Sequence, residues 1–406
     1  MPKSEGAAIP MPSHLDHLEY LVGGVETIQR MANLPALPPF SPAAVDFLAE
    51  LSKRLMGGAE AKAYPDVVAF GFWCRKASVE EMRKPYGALP NRLGRGMAFH
   101  VAPANVPVNF AYSLAVGLLA GNANVVRVPS KNFPQVGLIC GAIREVLALV
   151  PEMADRICLV KYGHEKTVTD VLSARCDARI IWGGDDTIRT IRESPLPPRA
   201  VEITFADRYS FAVIDADGYL KLDPARVAQD FYNDTYLTDQ NACTSPQLVA
   251  WRGHAVAEAQ TRFWAALHAR VAGRYELPAV AAVGKRAAAC RLAAALDGRL
   301  AAAPDNLITR IAVSRPSPEL VDFKYHSGFF AECVVATWDE VLPLCDPRCQ
   351  TIACIGVPLG EIAECLVPHA PRGVDRIVPV GRTLDFALVW DGHDLIRELS
   401  RVVDCM

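Results

Sequence analysis

The chain is 406 residues long, 51% hydrophobic and 21% charged, with a net charge of −3. That length admits two or three domains around a large core, and the near-neutral balance gives no basis for binding nucleic acid or an anionic membrane. Met1 to Ser13 lack the basic start and long apolar core of an export signal, and no apolar stretch reaches the roughly 18 residues that a membrane span needs.

Residues before about 13 read as a frayed end. Apolar spacing predicts helices over 14–31 and 42–56, the second introduced by Ser41-Pro42. From Gly96 the pattern changes to short apolar runs alternating with helices. Strands are expected at 96–101, 124–128, 157–160, 178–182 and 201–205, with helices at 108–120, 135–150 and 165–173 between them. Such alternation argues an α/β fold with a parallel sheet covered on both faces, the Rossmann-type architecture that binds nucleotides. A Gly-x-Gly-x-x-Gly fingerprint and a phosphate-binding Gly-Lys-Ser/Thr loop are both missing, and Gly94-Arg95-Gly96 precedes its strand instead of following it.

A second αβα unit follows the strand 211–214 and the acidic turn Asp215-Ala216-Asp217-Gly218. It has strands at 247–251, 307–313 and 333–336, and helices at 255–271 and 284–300. The reading gives a first domain over 1–205, a second over 206–380, and a tail over 381–406 with a strand-like piece and a short helix.

The second unit contains Asp239-Gln240-Asn241-Ala242-Cys243-Thr244-Ser245-Pro246, placed just before a strand. Free cysteines usually pack as small hydrophobes inside apolar runs. Cys243 instead follows Asp, Gln and Asn, on a loop where a thiol can meet a substrate. The other cysteines read as reduced thiols of a cytoplasmic protein. Cys345, Cys349, Cys354 and Cys365 are clustered but lack the paired spacing of structural zinc sites, so no metal is expected. His100, His164 and His326 sit in or beside apolar runs and read as structural residues.

Three further segments look like loops at carboxyl ends of strands, where α/β sheets place ligands. They are Ala102-Pro103-Ala104-Asn105-Val106-Pro107, Arg127-Val128-Pro129-Ser130-Lys131 and Trp182-Gly183-Gly184-Asp185-Asp186. With the Cys243 loop, they resemble the aldehyde dehydrogenase superfamily. Its Pro-x-Asn-x-Pro loop appears as Pro103 to Pro107, its Gly-Asn strand as Gly121 to Ser130, and its Gln-x-Cys as Gln240 to Cys243 with one extra residue. The resemblance sharpens to the LuxC-type acyl-CoA reductases. Their nucleophile loop is similar to Asp239 to Gln247, and their carboxyl-terminal block is similar to Asp375 to Arg382 followed by Leu388-Val389-Trp390-Asp391-Gly392.

The resemblance implies an aldehyde dehydrogenase-like fold, with a nucleotide-binding domain and a catalytic thiol domain. It implies NADPH-dependent reduction of an acyl thioester to the aldehyde through an acyl group on Cys243. The side chain of Asn105 and the backbone N–H of Cys243 would hold the oxyanion. Cofactor contacts would come from Ala102, Pro103, Arg127, Pro129, Ser130, Lys131, Gly183, Gly184 and Asp185. NAD-preferring relatives carry a Glu at the position of Ser130, whereas Ser130 with Arg127 and Lys131 would accept a 2′-phosphate.

Glu202 lies near the position of the superfamily's general base, with a strand-end salt bridge as the other reading. Two motifs depart from the pattern: the cofactor turn is reduced to Gly184-Asp185-Asp186-Thr187-Ile188, and the ribose-holding Glu-x-Phe falls near Gly328-Phe329-Phe330 without its acid. Phe329-Phe330, Phe231-Tyr232 and Tyr236 either line an acyl tunnel or fill the core. The expected partner is acyl-CoA or an acylated protein, in a homo-oligomer whose subunits meet through the tail 381–406. Two other readings compete: an aldehyde dehydrogenase working oxidatively with NAD(P), and an acyltransferase partner that only holds acyl groups on Cys243.

Overall fold

The computed structural model describes residues 15–405, so the expected frayed start lies outside the described residues. The chain divides into two compact units. One runs up to Ala206 and resumes at Phe386; the other comprises Asp207–Asp385.

The first unit contains, in chain order, β1 (Glu19–Val22), α1 (Val25–Met31), α2 (Pro42–Gly57), α3 (Pro65–Trp73), α4 (Lys76–Arg83), β2 (Arg92–Gly94), β3 (Met97–Val101) and α5 (Asn109–Leu119). Then come β4 (Ala123–Arg127), α6 (Pro134–Leu149), β5 (Ile157–Lys161), α7 (Lys166–Arg175), β6 (Ala178–Trp182), α8 (Asp185–Arg192) and β7 (Val201–Phe205). Among the described residues these form a six-stranded sheet in the order β1-β5-β4-β3-β6-β7, parallel except for β1. The chain winds outward from β3 in one direction and then, from β6, in the other. That reversal places a switch point between β3 and β6, which opens a crevice at the carboxyl ends of the strands.

Each central strand is buried on both faces, as a parallel sheet requires. Ala98, Val126 and Ile180 point into a core built with α2, α5 and α6, while Phe99, Val125 and Ile181 face α1, α7 and α8. On the first face α5 lies close against the sheet at Gly117, where a Cβ would collide with Asn124 and stand 3.1 Å from His100 Cε1. His100 is fully buried there, with Nδ1 2.7 Å from Ser113 Oγ and Nε2 3.0 Å from Asn124 Oδ1. Burial pushes its pKa down to about 4. His100 is thus the satisfied structural histidine its apolar strand suggested.

The expected helix over 14–31 is not continuous. Glu19–Val22 instead form an edge strand antiparallel to β5, and only Val25–Met31 are helical. Gly23, with φ of 75°, turns the chain between them.

The second unit contains β8 (Tyr209–Asp215), α9 (Ala216–Tyr219), α10 (Pro224–Thr235), β9 (Pro246–Arg252), α11 (Val256–Val271), α12 (Ala279–Leu296), β10 (Arg299–Leu300) and β11 (Thr309–Ala312). It ends with β12 (Phe329–Val334), β13 (Cys349–Ile355), α13 (Leu359–Leu366) and β14 (Arg376–Pro379). Its sheet, in the order β10-β11-β12-β9-β8-β13-β14, is parallel except for β10. Ala212, Val249 and Phe330 face α10 and α11, whereas Phe211, Leu248 and Phe329 face the opposite core with Leu292 of α12 and Ile362 of α13. Asp215 caps α9 by accepting the N–H of Gly218, which converts the expected acidic turn into a helical one.

The tail expected over 381–406 is not a separate segment. From Phe386 it belongs to the first unit: Phe386 stacks on Tyr112 with ring centroids 5.0 Å apart, and β17 (Ser400–Val402) pairs antiparallel with β2. Between them, β15 (Val389–Trp390) pairs with β16 (His393–Asp394), and Leu395 and Ile396 of α14 (Leu395–Glu398) enter the core.

Candidate active site

Cys243 lies at the amino edge of the second unit's sheet. α10 ends in a tight turn over Tyr236–Thr238, and Asp239 and Gln240 then adopt left-handed backbone with φ of 51° and 59°. Short polar side chains tolerate that conformation best. The chain reverses, and only Thr244 and Ser245 separate Cys243 from β9.

Gln240 clamps this loop. Its buried amide nitrogen donates to the carbonyl oxygens of Pro246 and Phe329, both at 2.9 Å. Its amide oxygen accepts the N–H groups of Gly328 at 2.9 Å and Phe329 at 3.1 Å. Four hydrogen bonds exhaust what a glutamine can make, so the side chain has one orientation. Gly328 is required at this crossing: its φ is 80°, and a Cβ would strike the Tyr236 hydroxyl and the Leu307 carbonyl.

A second layer braces the clamp. The Asp239 carboxylate accepts the hydroxyls of Tyr275 and, at 2.9 Å, Ser327, and it lies 3.6 Å from His326 Nδ1. The Lys285 ammonium, 1% exposed, donates to the carbonyls of Ser327 at 2.7 Å, Asn306 at 2.5 Å and Leu307 at 3.3 Å. Burial pushes its pKa down to about 8, against the opposing pull of Asp239 and Asp305.

Cys243 itself is half-buried, and its carbonyl oxygen accepts the Ser210 hydroxyl at 2.8 Å. Two residues on, the Ser245 hydroxyl donates to the Asp234 carbonyl at 2.7 Å. The Asp234 side chain in turn accepts the N–H groups of Gly381 at 2.6 Å and Thr383 at 3.1 Å. The block after β14 is thereby fastened to the helix that leads into the Cys243 loop. Desolvation raises the Asp234 carboxyl to about 6 despite these donors. The clustered Cys345 and Cys354 are buried, and desolvation raises both thiols to about 12, which suits inert packing. Among the described residues, no cluster of three or more His, Cys, Asp or Glu could hold a metal ion.

The other candidates belong to the first unit. Ala102, Pro103 and Asn105 lie on the loop between β3 and α5, with Asn105 exposed. Arg127 ends β4; Pro129, Ser130 and Lys131 follow it, the last two exposed. Gly183, Gly184 and Asp185 join β6 to α8, whose first turn has no side-chain cap. All therefore sit along the carboxyl edge of β3, β4 and β6, beside the switch point.

Arg127 differs from the expectation. Its guanidinium donates to the carbonyls of Tyr162, at 3.3 Å, and Gly163, and lies 4.6 Å from the Tyr162 ring centroid. Those contacts commit two of its five N–H donors, while for Lys131, exposed beside it, no ion pair is seen among the described residues.

For Glu202, read either as a base or as part of a strand-end salt bridge, the structure shows the ion pair. Glu202 is the second residue of β7, on the amino half of the sheet and away from the carboxyl edge. Its carboxylate accepts Arg179 Nε at 2.7 Å and Arg192 Nε at 2.6 Å. This is the strand-end salt bridge, with Arg179 buried and Glu202 nearly so.

Sequence reasoning missed Ser210, Lys285 and the clamping role of Gln240. Ser210 offered one signal, a hydroxyl among the apolar neighbours Tyr209 and Phe211.

The sequence matches the acyl-CoA reductase (LuxC) family over residues 29–404. The chain belongs to this family. A long-chain acyl-protein thioester reductase of Vibrio harveyi is 27% identical over 164 residues, 39% of this chain and 32% of the relative. That match therefore spans about a third of the relative's length. Among solved structures, an NAD-dependent benzaldehyde dehydrogenase from Corynebacterium glutamicum superposes with a TM-score of 0.61 at 15% identity, covering 92% of this chain and 86% of that one. An indole-3-acetaldehyde dehydrogenase in complex with NAD+ gives 0.65 at 12% identity, covering 89% and 83%. This LuxC-family chain has the aldehyde dehydrogenase fold.

Proposed function

We propose that this protein reduces an acyl thioester, from acyl-CoA or an acylated partner protein, to the aldehyde through an acyl group on Cys243, with NADPH as reductant. The observation that carries the reading is the braced loop: a partly exposed thiol whose carbonyl is pinned by Ser210 and whose approach is clamped by Gln240. A thiolate exchanges with a thioester at little free-energy cost, since one carbon–sulfur bond replaces another. The Cys243 thiol loses its proton, sulfur bonds to the acyl carbon, and the leaving thiolate takes up a proton. Backbone N–H of Cys243 and the amide of Asn105 are the donors assigned to the oxyanion.

The carboxyl edge of the first unit suits a dinucleotide. An uncapped helix start at Gly184 follows β6, and Ser130 and Lys131 are exposed after β4. Bound NADPH would supply the hydride that converts the acyl-cysteine to aldehyde. Ser130 and Lys131 leave room and charge for a 2′-phosphate that a carboxylate would repel. Asp185, exposed at the helix start, offers an acceptor for a hydroxyl instead of charge for phosphate.

The oxidative alternative needs a base to activate water. Glu202, the residue considered for it, is committed to Arg179 and Arg192. The test is NADPH consumption with a panel of acyl-CoAs, comparing wild type with Cys243→Ala. Substrate-dependent oxidation that vanishes in the mutant is expected. Acylated Cys243 by intact mass without oxidation would leave a thioester carrier and sink the reductase reading.

A further inference from the structure

We propose that Lys285 is a positioning residue for the Cys243 loop: its ammonium is a tethered cation in a cage of three backbone carbonyls, and its charge, not its bulk, holds the loop ready for acylation. The inference rests on the acyl-thioester reading above and gives a role to a residue that reading does not use.

The cage joins the segments behind the loop. From α12, the Lys285 ammonium donates to the carbonyls of Asn306, Leu307 and Ser327. An ammonium has three donors and no acceptor, so three carbonyls saturate it. Ser327 is where the cage meets the loop. Its N–H donates to the Asp239 carbonyl at 3.2 Å and its hydroxyl to the Asp239 carboxylate at 2.9 Å. The next residue, Gly328, donates its N–H to the Gln240 side chain that also holds Pro246. The Leu307 carbonyl takes a second donor, the Tyr236 hydroxyl at 3.0 Å, from the turn that leads into Asp239. Cys243 therefore stands in a loop whose entry, clamp and exit all connect to the contacts of one ammonium.

The charge is what needs a reason. Burying an ammonium is expensive, and a hydrophobic side chain of similar length fills such a space at equal or lower cost. Among the described residues, none of the hydrogen bonds of Lys285 goes to a carboxylate. Converging carbonyl oxygens are the ligands that replace the hydration shell of potassium in channels. Here the fold supplies the cation covalently, and the three segments cannot part without stripping it of its ligands. Asp239 and Asp305 add negative potential around it. Asp305 is paired with His268 at 2.7 Å; Asp239 accepts the Tyr275 and Ser327 hydroxyls and lies 3.6 Å from His326.

Positioning and stability separate with pH. Burial lowers the Lys285 pKa from 10.5 to about 8, with Asp239 and Asp305 pulling the other way. As pH rises through about 8 the folded chain releases the proton, and the remaining amine has too few N–H groups for three carbonyls. The unfolded chain keeps its proton until about 10.5, so over that window Lys285 adds to stability instead of removing it. The loop should lose its order where the fold does not weaken.

The test measures single-turnover acylation of Cys243 by hexadecanoyl-CoA, read by intact mass, in the full-length protein. Lys285→Met should melt no lower than wild type yet acylate about ten- to a hundredfold more slowly at neutral pH, the scale of a misplaced reacting group. The ratio of wild-type to variant rates, in which titration of the thiol itself cancels, should collapse as pH rises through about 8. In Lys285→Ala, propylammonium chloride replaces the atoms removed and should restore acylation, whereas propanol, of similar size and uncharged, should not. Equal rates for Lys285→Met and wild type, a ratio flat in pH, or equal rescue by propanol would overturn the proposal. Should neither variant fold, wild type decides alone: acylation that keeps rising beyond about pH 8 overturns the proposal, and acylation that falls at an unchanged melting temperature supports it. If no acyl-CoA acylates wild-type Cys243, the acyl-transfer reading fails, and the same comparisons made with iodoacetamide alkylation of Cys243 still judge Lys285.

Discussion

The Ser210 hydroxyl donates to the carbonyl oxygen of Cys243 at 2.8 Å while accepting the N–H of Thr351 at 3.1 Å. One buried side chain thus joins the Cys243 backbone to β8, which carries Ser210, and to β13, which carries Thr351. Ser210→Ala leaves a part-buried carbonyl and a buried N–H short of a partner, at a cost of about 1–3 kcal/mol. The melting temperature should fall, and the rate of Cys243 acylation by acyl-CoA in single-turnover mass measurements should fall with it. A lower melting temperature with an unaltered acylation rate would limit Ser210 to a structural role.

Glu202 bridges Arg179 and Arg192, and Arg179 is almost fully buried. Removing one partner of a buried pair leaves an uncompensated charge, so Glu202→Gln should destabilise by about 3 kcal/mol. Acyl-CoA reduction by the folded variant should keep the wild-type kcat, since this carboxylate faces the amino half of its sheet. A kcat loss in fully folded protein would restore Glu202 as a chemical participant.

The strands of the first unit were legible because β3, β4, β5 and β6 are short, mostly apolar runs bounded by turn residues, the mark of strands buried on both faces. The Cys243 loop was legible because a cysteine among Asp, Gln and Asn does not belong to a core. β1 was not: four residues beginning with Glu19 carry little signal, and their strand character comes from pairing with β5, far along the chain. The tail was hidden for the same reason, since β17 finds β2 across most of the sequence. Ser210 and Gln240 act through the register of several strands, which no local pattern encodes. Glu202 stayed open between two readings because proximity to a motif in sequence says nothing about which end of a strand a side chain occupies.

Two buried groups give opposite pH dependences over a shared range. His100 is held neutral, with its pKa lowered from 6.5 to about 4 by burial. The unfolded chain binds its proton more readily, so this contribution to stability is complete above 6.5 and is lost as pH falls through about 4. It amounts to about 3 kcal/mol. Asp234 is raised from 3.8 to about 6 by burial, so the folded chain binds that proton more readily. Its contribution is complete below 3.8 and is lost as pH rises through about 6. Between pH 4 and 6 wild-type stability should therefore change little from this pair, while Asp234→Asn should show the steeper acid loss of His100 alone. Denaturant unfolding at a series of pH values measures both slopes; parallel curves for the variant and wild type would refute the assignment.

On the proposed NADPH reading, cofactor preference would turn on Ser130 and Lys131, because Arg127 is engaged with the Tyr162 and Gly163 carbonyls. Ser130→Glu places a carboxylate where a 2′-phosphate would lie and an acceptor where ribose hydroxyls would lie. Repulsion of roughly 1 kcal/mol at an exposed site corresponds to about fivefold, so KM for NADPH should rise by at least that factor while KM for NADH falls. Lys131→Ala should weaken NADPH and leave NADH nearly unaffected, because it removes a charge that only the phosphate uses. Arg127→Ala should instead lower stability and affect both cofactors alike, since its donors hold the loop after β5 in place. Equal changes for NADPH and NADH in Lys131→Ala would mean that the phosphate lies elsewhere on the carboxyl edge.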